Sequence, residues 1–365
     1  MLKDFIRKNL TISSLIFLSL IIVIINFLRF FQNNSAYQFD PWLSNYQGGF
    51  VRRGFPGEIF YKIHELFDIN PGLVAFIFVC FLYIFFYFNF FKLIENIKFN
   101  KLYLFAILSP ISFYFPILNS KATGHKEIIL FFLLSTFCIL LPKIKKIYSY
   151  YFLIFAIIFI SLAHEGLIFF LTYLIIPFFF FYNFKNFREI LFFLIPLLLI
   201  IFALLLLNYH FRGTEQHVVA ICDSLNNFIN NNCKNVGQIA HLKLTLGEYT
   251  VQKERWSYGQ ATLYPDYFII YGTGFIFGFF PLFFLYKKSK TNLIFLKDLK
   301  FGPILILLVP FFFTLPVYYI AADWGRYLYI SYMSSLIIIF FFIKKNIFFI
   351  EENINKIKDN ILIKS

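Results

Sequence analysis

Eight arginines and 25 lysines share the basic charge of this 365-residue chain, and the two residue types fall in different places. Six of the arginines (Arg29, Arg52, Arg53, Arg212, Arg255 and Arg326) lie in or beside segments that the hydropathy pattern places on the outer face of a membrane. Nineteen of the lysines lie in segments that the same pattern places in the cytoplasm. A guanidinium is a planar fork that grips phosphate or carboxylate through two parallel N–H bonds, whereas an ammonium is a point charge. Arginines kept to one face therefore point to an anion recognised there. Acids and histidines join them, in Asp40-Pro41-Trp42, in Gly48-Gly49-Phe50-Val51-Arg52-Arg53-Gly54 followed by Pro56-Gly57-Glu58, and in Thr123-Gly124-His125-Lys126-Glu127. Further along stand His164-Glu165-Gly166, Tyr264-Pro265-Asp266 and Asp323-Trp324-Gly325-Arg326.

Such a set suits transfer from a lipid-linked phosphate or pyrophosphate sugar. Arginines and helix N-termini would hold the departing phosphate as its charge grows, and a carboxylate or imidazole would take the proton of the acceptor hydroxyl. His164, Glu165 and Asp40 are the candidates for that base. Arg52, Arg53 and Arg326 are the candidates for the phosphate, with Glu58, His125, Lys126, Glu127, Arg212 and Asp323 completing the substrate contacts. Glycines around the arginine pair would let backbone approach a ligand closely. Each motif also has a plainer use. Arg52-Arg53 would anchor to lipid headgroups, His164-Glu165 would cap a hairpin, Asp323 and Arg326 would form an ion pair one helical turn apart, and His125-Lys126-Glu127 would be interface polarity. Asp40, before a proline, would form a turn. Convergence of all of them on one face is what favours chemistry.

The elements that must position these residues are helices in a bilayer. A chain that is 60% hydrophobic, with 58 Phe, 14% charged residues and a mean hydropathy of +0.73, is not a soluble globule. About 20 apolar residues cross the hydrocarbon core as a helix. Ten such spans are read, at about 11–31, 73–91, 102–118, 127–142, 147–162, 166–182, 190–208, 266–286, 302–320 and 327–343. The expected fold is an all-α, single transmembrane domain over residues 1–365. Residues 147–182 form one apolar stretch broken only at His164-Glu165-Gly166 and flanked by lysines at both ends, which predicts a hairpin with His-Glu at its outer tip.

Charge sets the orientation. Segments read as cytoplasmic hold 21 Lys and Arg against 7 Asp and Glu, and the rest of the chain holds 12 of each, so the net +14 is cytoplasmic charge. Both termini are expected inside, and the first apolar run, which lacks a small-residue cleavage site, is expected to stay as the first helix. Charge placed this way serves orientation and argues against nucleic acid as a partner. The external segments, at about 32–72 and 209–265, read as loops or small caps. Cys222 and Cys233 share the second of them and are expected to be bonded, while Cys80 and Cys138 lie in apolar spans. No CxxC is present and His210 and His217 lack a ligand spacing, so neither metal nor cofactor is expected.

Gly-Gly-Phe-Val-Arg-Arg-Gly near residue 50, Gly-His-Lys-Glu at 124–127, His-Glu at 164–165 and Asp-Trp-Gly-Arg at 323–326 together resemble a group of bacterial multi-pass proteins associated with surface-polysaccharide synthesis. More distantly, the layout is similar to GT-C glycosyltransferases and O-antigen polymerases. The GT-C class usually carries an acidic pair in its first external loop; here Asp40 stands alone and the next acid is Glu58. The resemblance implies a protein of the bacterial inner (plasma) membrane that takes a lipid-linked sugar donor among the membrane lipids. Transfer or polymerisation of its glycosyl unit from a polyprenyl-phosphate or pyrophosphate carrier at the outer face is the expected function. The alternatives are a transporter or flippase of lipid-linked sugars and a membrane acyltransferase that modifies polysaccharide.

Overall fold

The computed structural model describes residues 10–350, apart from 96, 98–100, 183, 185, 227, 230–232, 245–263, 292–301, 321 and 322. Both expected cytoplasmic termini, Arg255 and part of the lysine-rich segment after Lys287 lie outside the described residues. Peptide groups in hydrocarbon must be satisfied within their own segment, so the apolar runs become helices. In chain order these are α1 (Leu10–Gln32), α2 (Phe55–Phe67), α3 (Pro71–Ile94), α4 (Lys101–Ile107), α5 (Phe115–Leu118), α6 (Glu127–Leu140), α7 (Lys146–Ala163), α8 (Thr172–Tyr182), α9 (Phe187–His210), α10 (Glu215–Ser224), α11 (Tyr264–Lys288), α12 (Gly302–Ile320) and α13 (Trp324–Lys344). Among the described residues the strand pairing is a minimal antiparallel one, of β1 (Ser289–Thr291) with β2 (Phe348–Ile350).

Among the described residues, six segments are long and apolar enough to cross a membrane: Ser13–Gln32, Pro71–Ile94, Lys146–Ala163, Glu165–Tyr182, Phe187–His210 and Trp324–Lys344. Helix α6 and residues Ile306–Tyr318 of α12 are apolar but shorter. The run 102–118, expected as one span, is divided between α4 and α5. Pro110 lacks the N–H that a continuing helix would use. Ser112 Oγ donates to the carbonyls of Ile107 and Ser109 at 2.5 and 2.6 Å, occupying acceptors of the interrupted turn. The segment still tracks α13: Tyr103 packs on Phe340, Tyr332 Oη donates to Ala106 O at 2.7 Å, and Phe115 stacks on Tyr329. Residues 32–72 are more than loop, because α2 forms there with Pro56 in its first turn and Asp68 closing it at φ 53°.

Helix α13 is the axis of the bundle, and every residue from Arg326 to Phe342 is buried. Its serines, Ser331, Ser334 and Ser335, are small enough for neighbouring helices to approach closely. Helix α9 is the opposite case, with only Leu197 and Asn208 buried. It packs along α7 and residues 165–170 and turns the rest of its surface outward. The two ends of the bundle differ in chemistry. At one, Lys344 Nζ donates to Lys92 O and Lys146 pairs with Glu189. At the other stand the arginines.

Candidate functional site

At the arginine end, α7 stops at Ala163 and the chain turns back as a 3₁₀ helix, Glu165–Phe170, before α8. Six residues is long for this tight geometry, which is uncommon beyond three or four and recurs where a helix is under local constraint. His164 caps it: its Nδ1 accepts the Gly166 N–H at 3.0 Å. The turn aims Glu165 at the arginine loop. Arg53 grips it with a full fork, Nε to Oε2 at 2.6 Å and Nη2 to Oε1 at 2.5 Å, and Arg52 Nη1 adds a contact to Oε1 at 3.3 Å. A strap from the second loop completes the cradle. Gln238 Oε1 accepts from Arg53 Nη1, and the carbonyls of His241 and Leu242 accept from Arg52 Nη2 at 3.3 and 3.4 Å.

The backbone of Arg53 is left-handed, φ 67°, a conformation that costs a residue with a Cβ about 1 kcal/mol or more and persists where surrounding contacts over-determine it. The nearby glycines were expected to admit a ligand; the structure gives them another task. A Cβ on Gly54 would lie 2.3 Å from the Tyr46 ring and one on Gly57 would lie 1.9 Å from Ser44 O, so these glycines let the loop fold against itself.

Behind the pair lies Lys126, 2% exposed, whose Nζ donates to Arg53 O at 2.9 Å and Ala163 O at 3.1 Å. Burial, and then the Arg53 charge, pull its ammonium down to about 7. The same two causes hold His164 well below the usual imidazole range. A neutral imidazole whose Nδ1 accepts an N–H carries its proton on Nε2, so His164 offers the site a donor. Glu165, shared by two guanidiniums, acts as their orienting group. His125 is also held well below its usual range, by burial first and then by the charge of Arg326.

A second charged cluster stands beside the first. Arg326 is buried in the first turn of α13, with Nη1 at 3.1 Å from Asp323 Oδ2 and Nε at 3.8 Å from Oε1 of Glu127, the buried first residue of α6. Asp40 and Glu58 are at this end but do not line the cavity described next. Burial pushes the Asp40 carboxyl up to about 7, and among the described residues its Oδ1 meets no hydrogen-bond partner. Glu58 braces the arginine loop, its Oε2 accepting the Tyr46 N–H at 2.8 Å.

The cavity has a volume of about 390 Å³. Arg52, Arg53, Glu165 and His164 line it together with the apolar side chains of Phe169, Leu205, Leu206 and Val317 and the ring of Tyr327. Arg212 and Tyr209, both exposed, stand at the margin beside the outward face of α9. Three arginines against one glutamate leave the lining cationic. Cys222 and Cys233 are bonded, closing the loop that precedes the strap of residues 237–244. Among the described residues no three His, Cys, Asp or Glu side chains gather as a metal site. The sequence reading passed over Gln238, Asn208 and Tyr327. Of these only Asn208, a lone amide in an otherwise apolar run, carried a signal. No protein-family model, curated protein or solved structure matches the chain.

Proposed function

We propose that the protein binds a polyprenyl-phosphate- or pyrophosphate-linked sugar in this cavity and transfers or polymerises its glycosyl unit at the outer face of a bacterial inner membrane. One observation carries the reading: a cavity lined by both arginines and apolar side chains, whose margin is the outward face of a bundle helix. An amphipathic donor needs both halves, a cationic seat for its phosphate and an apolar route for its chain. The topology that goes with it has ten crossings, with residues 101–118 crossing as an interrupted helix and both termini cytoplasmic. Arg52, Arg53 and Arg212 would take the phosphate, Glu165 would hold the two forks in register until it arrives, and the His164 Nε2–H would stabilise charge developing on the leaving oxygen.

Transport of the intact lipid-linked sugar is the second reading, favoured by the interrupted segment 101–118 and by the buried hydroxyls of Ser331, Ser334 and Ser335 on α13. The two readings part on one bond. Protein reconstituted in proteoliposomes with a sugar-labelled polyprenyl phosphoryl donor should release free carrier phosphate and pass the label to an acceptor glycan. Movement of intact donor across the bilayer, with no release, would replace transfer by transport.

A further inference from the structure

Lys126 is a buried amine in an unusual position. Its two hydrogen bonds go to backbone carbonyls, Arg53 O and Ala163 O, and among the described residues no carboxylate pairs with it. From the arginine loop it faces the Arg53 guanidinium; from the turn after α7 it faces His164 and Glu165, the latter already engaged by both arginines. From the 40–43 turn it faces the Trp42 ring, 5.8 Å from Nζ to the centroid, and His125 and Glu127 flank it in its own segment. A neutral amine satisfies both carbonyls with its two N–H groups. An ammonium satisfies them as well but brings a charge beside a guanidinium, and the carboxylate that favours it, Glu165, is already shared by two arginines.

We propose that Lys126 couples proton uptake to anion binding: an anionic headgroup that settles on the neighbouring arginine pair adds the negative charge by which Glu165 alone falls short of the two arginines, and Nζ takes one proton from solvent. No bond in the ligand changes. The coupling rests on the donor-binding reading above and names its regulation. The direction follows from linkage. Free Lys126 loses its proton near pH 7, so above that pH binding must draw a proton from solution and affinity falls as pH rises, approaching tenfold per pH unit. Below it, Lys126 is already charged and contributes no slope.

The test is calorimetric titration of the protein in nanodiscs with a polyprenyl phosphoryl sugar, a phosphodiester that does not itself titrate near neutrality. Between about pH 7 and 8.5 the wild type should lose affinity along a slope that steepens toward about tenfold per unit, with heats that vary with the ionisation enthalpy of the buffer. Lys126→Met should bind with one affinity across that range. Asp40→Asn should keep the slope, which separates Lys126 from Asp40, whose carboxyl burial also pushes up to about 7. A flat wild-type profile with buffer-independent heats, or a slope that survives Lys126→Met, overturns the proposal. If Lys126→Met does not fold, the wild-type buffer dependence decides alone. Absence of binding at every pH instead overturns the donor-binding reading, and the coupling with it.

Discussion

Replacing Glu165 by Gln should make the protein less stable and its hold on an anion tighter. The carboxylate is the shared partner of Arg52 and Arg53, whose side chains are only 10% and 12% exposed. Glutamine keeps the shape but presents one acceptor oxygen in place of two, so at least one charge-assisted bond worth about 1.5–3 kcal/mol is lost. Removing one partner of a fully buried pair costs about 3–5 kcal/mol. Glu165 is 20% exposed, and solvent screening brings the expectation to about 2–3 kcal/mol. At the same time the cavity lining gains one net positive charge and the Arg53 fork is released, which should raise affinity for a phosphodiester about tenfold, ~1.4 kcal/mol. Thermal unfolding in nanodiscs, with and without a polyprenyl phosphoryl sugar, reads both effects, because a ligand stabilises by an amount set by its concentration over Kd. The variant should start lower and gain more. A variant as stable as wild type would refute the assigned role of the carboxylate. A less stable variant that also binds the anion more weakly would show that Glu165 touches the ligand and does not compete with it for arginine.

Arg52→Lys or Arg53→Lys keeps charge and loses the fork, so donor binding should fall nearly as far as in the alanine variants, about tenfold or more, while Lys143→Arg, Lys145→Arg and Lys146→Arg leave it unchanged in the same titration. Asp40 binds its proton more tightly folded, at about 7, than unfolded, at 3.8. Stability should therefore fall as pH rises from about 4 to 7 and level off above, and Asp40→Asn should recover about 2–4 kcal/mol of denaturation free energy at pH 8. Gln216→Cys, in an exposed turn of α10, should react with an impermeant thiol reagent added outside intact cells, and Lys287→Cys should not. Reversed labelling would put the arginine end in the cytoplasm.

The helices were legible because a bilayer imposes a length and a polarity on whatever crosses it. The His164-Glu165 hairpin followed from lysines on both its flanks. The break in 102–118 was not legible, because proline and serine are tolerated within membrane helices and only the Ser112 hydrogen bonds show which turn they open. The clustering of the charged motifs at one end of the bundle could be read from alternate loops. Who pairs with whom could not: Arg53 meets Glu165 across 112 positions of sequence and Gln238 across 185. Hydropathy says that Lys126 stands at the edge of a span and nothing about which way it points. Its burial behind Arg53, with Nζ on two backbone carbonyls, is set by tertiary packing.

The central claim is that this cavity holds a lipid-linked sugar by its phosphate and breaks the bond to the sugar. The most direct measurement uses purified protein in proteoliposomes and a polyprenyl phosphoryl donor carrying separate labels on sugar and carrier. The account predicts that the two labels part, that the sugar label appears in glycan, and that the Arg52→Lys, Arg53→Lys double variant lowers this separation at matched protein levels. Labels that stay together in wild type, or a double variant that separates them as fast as wild type, would contradict it.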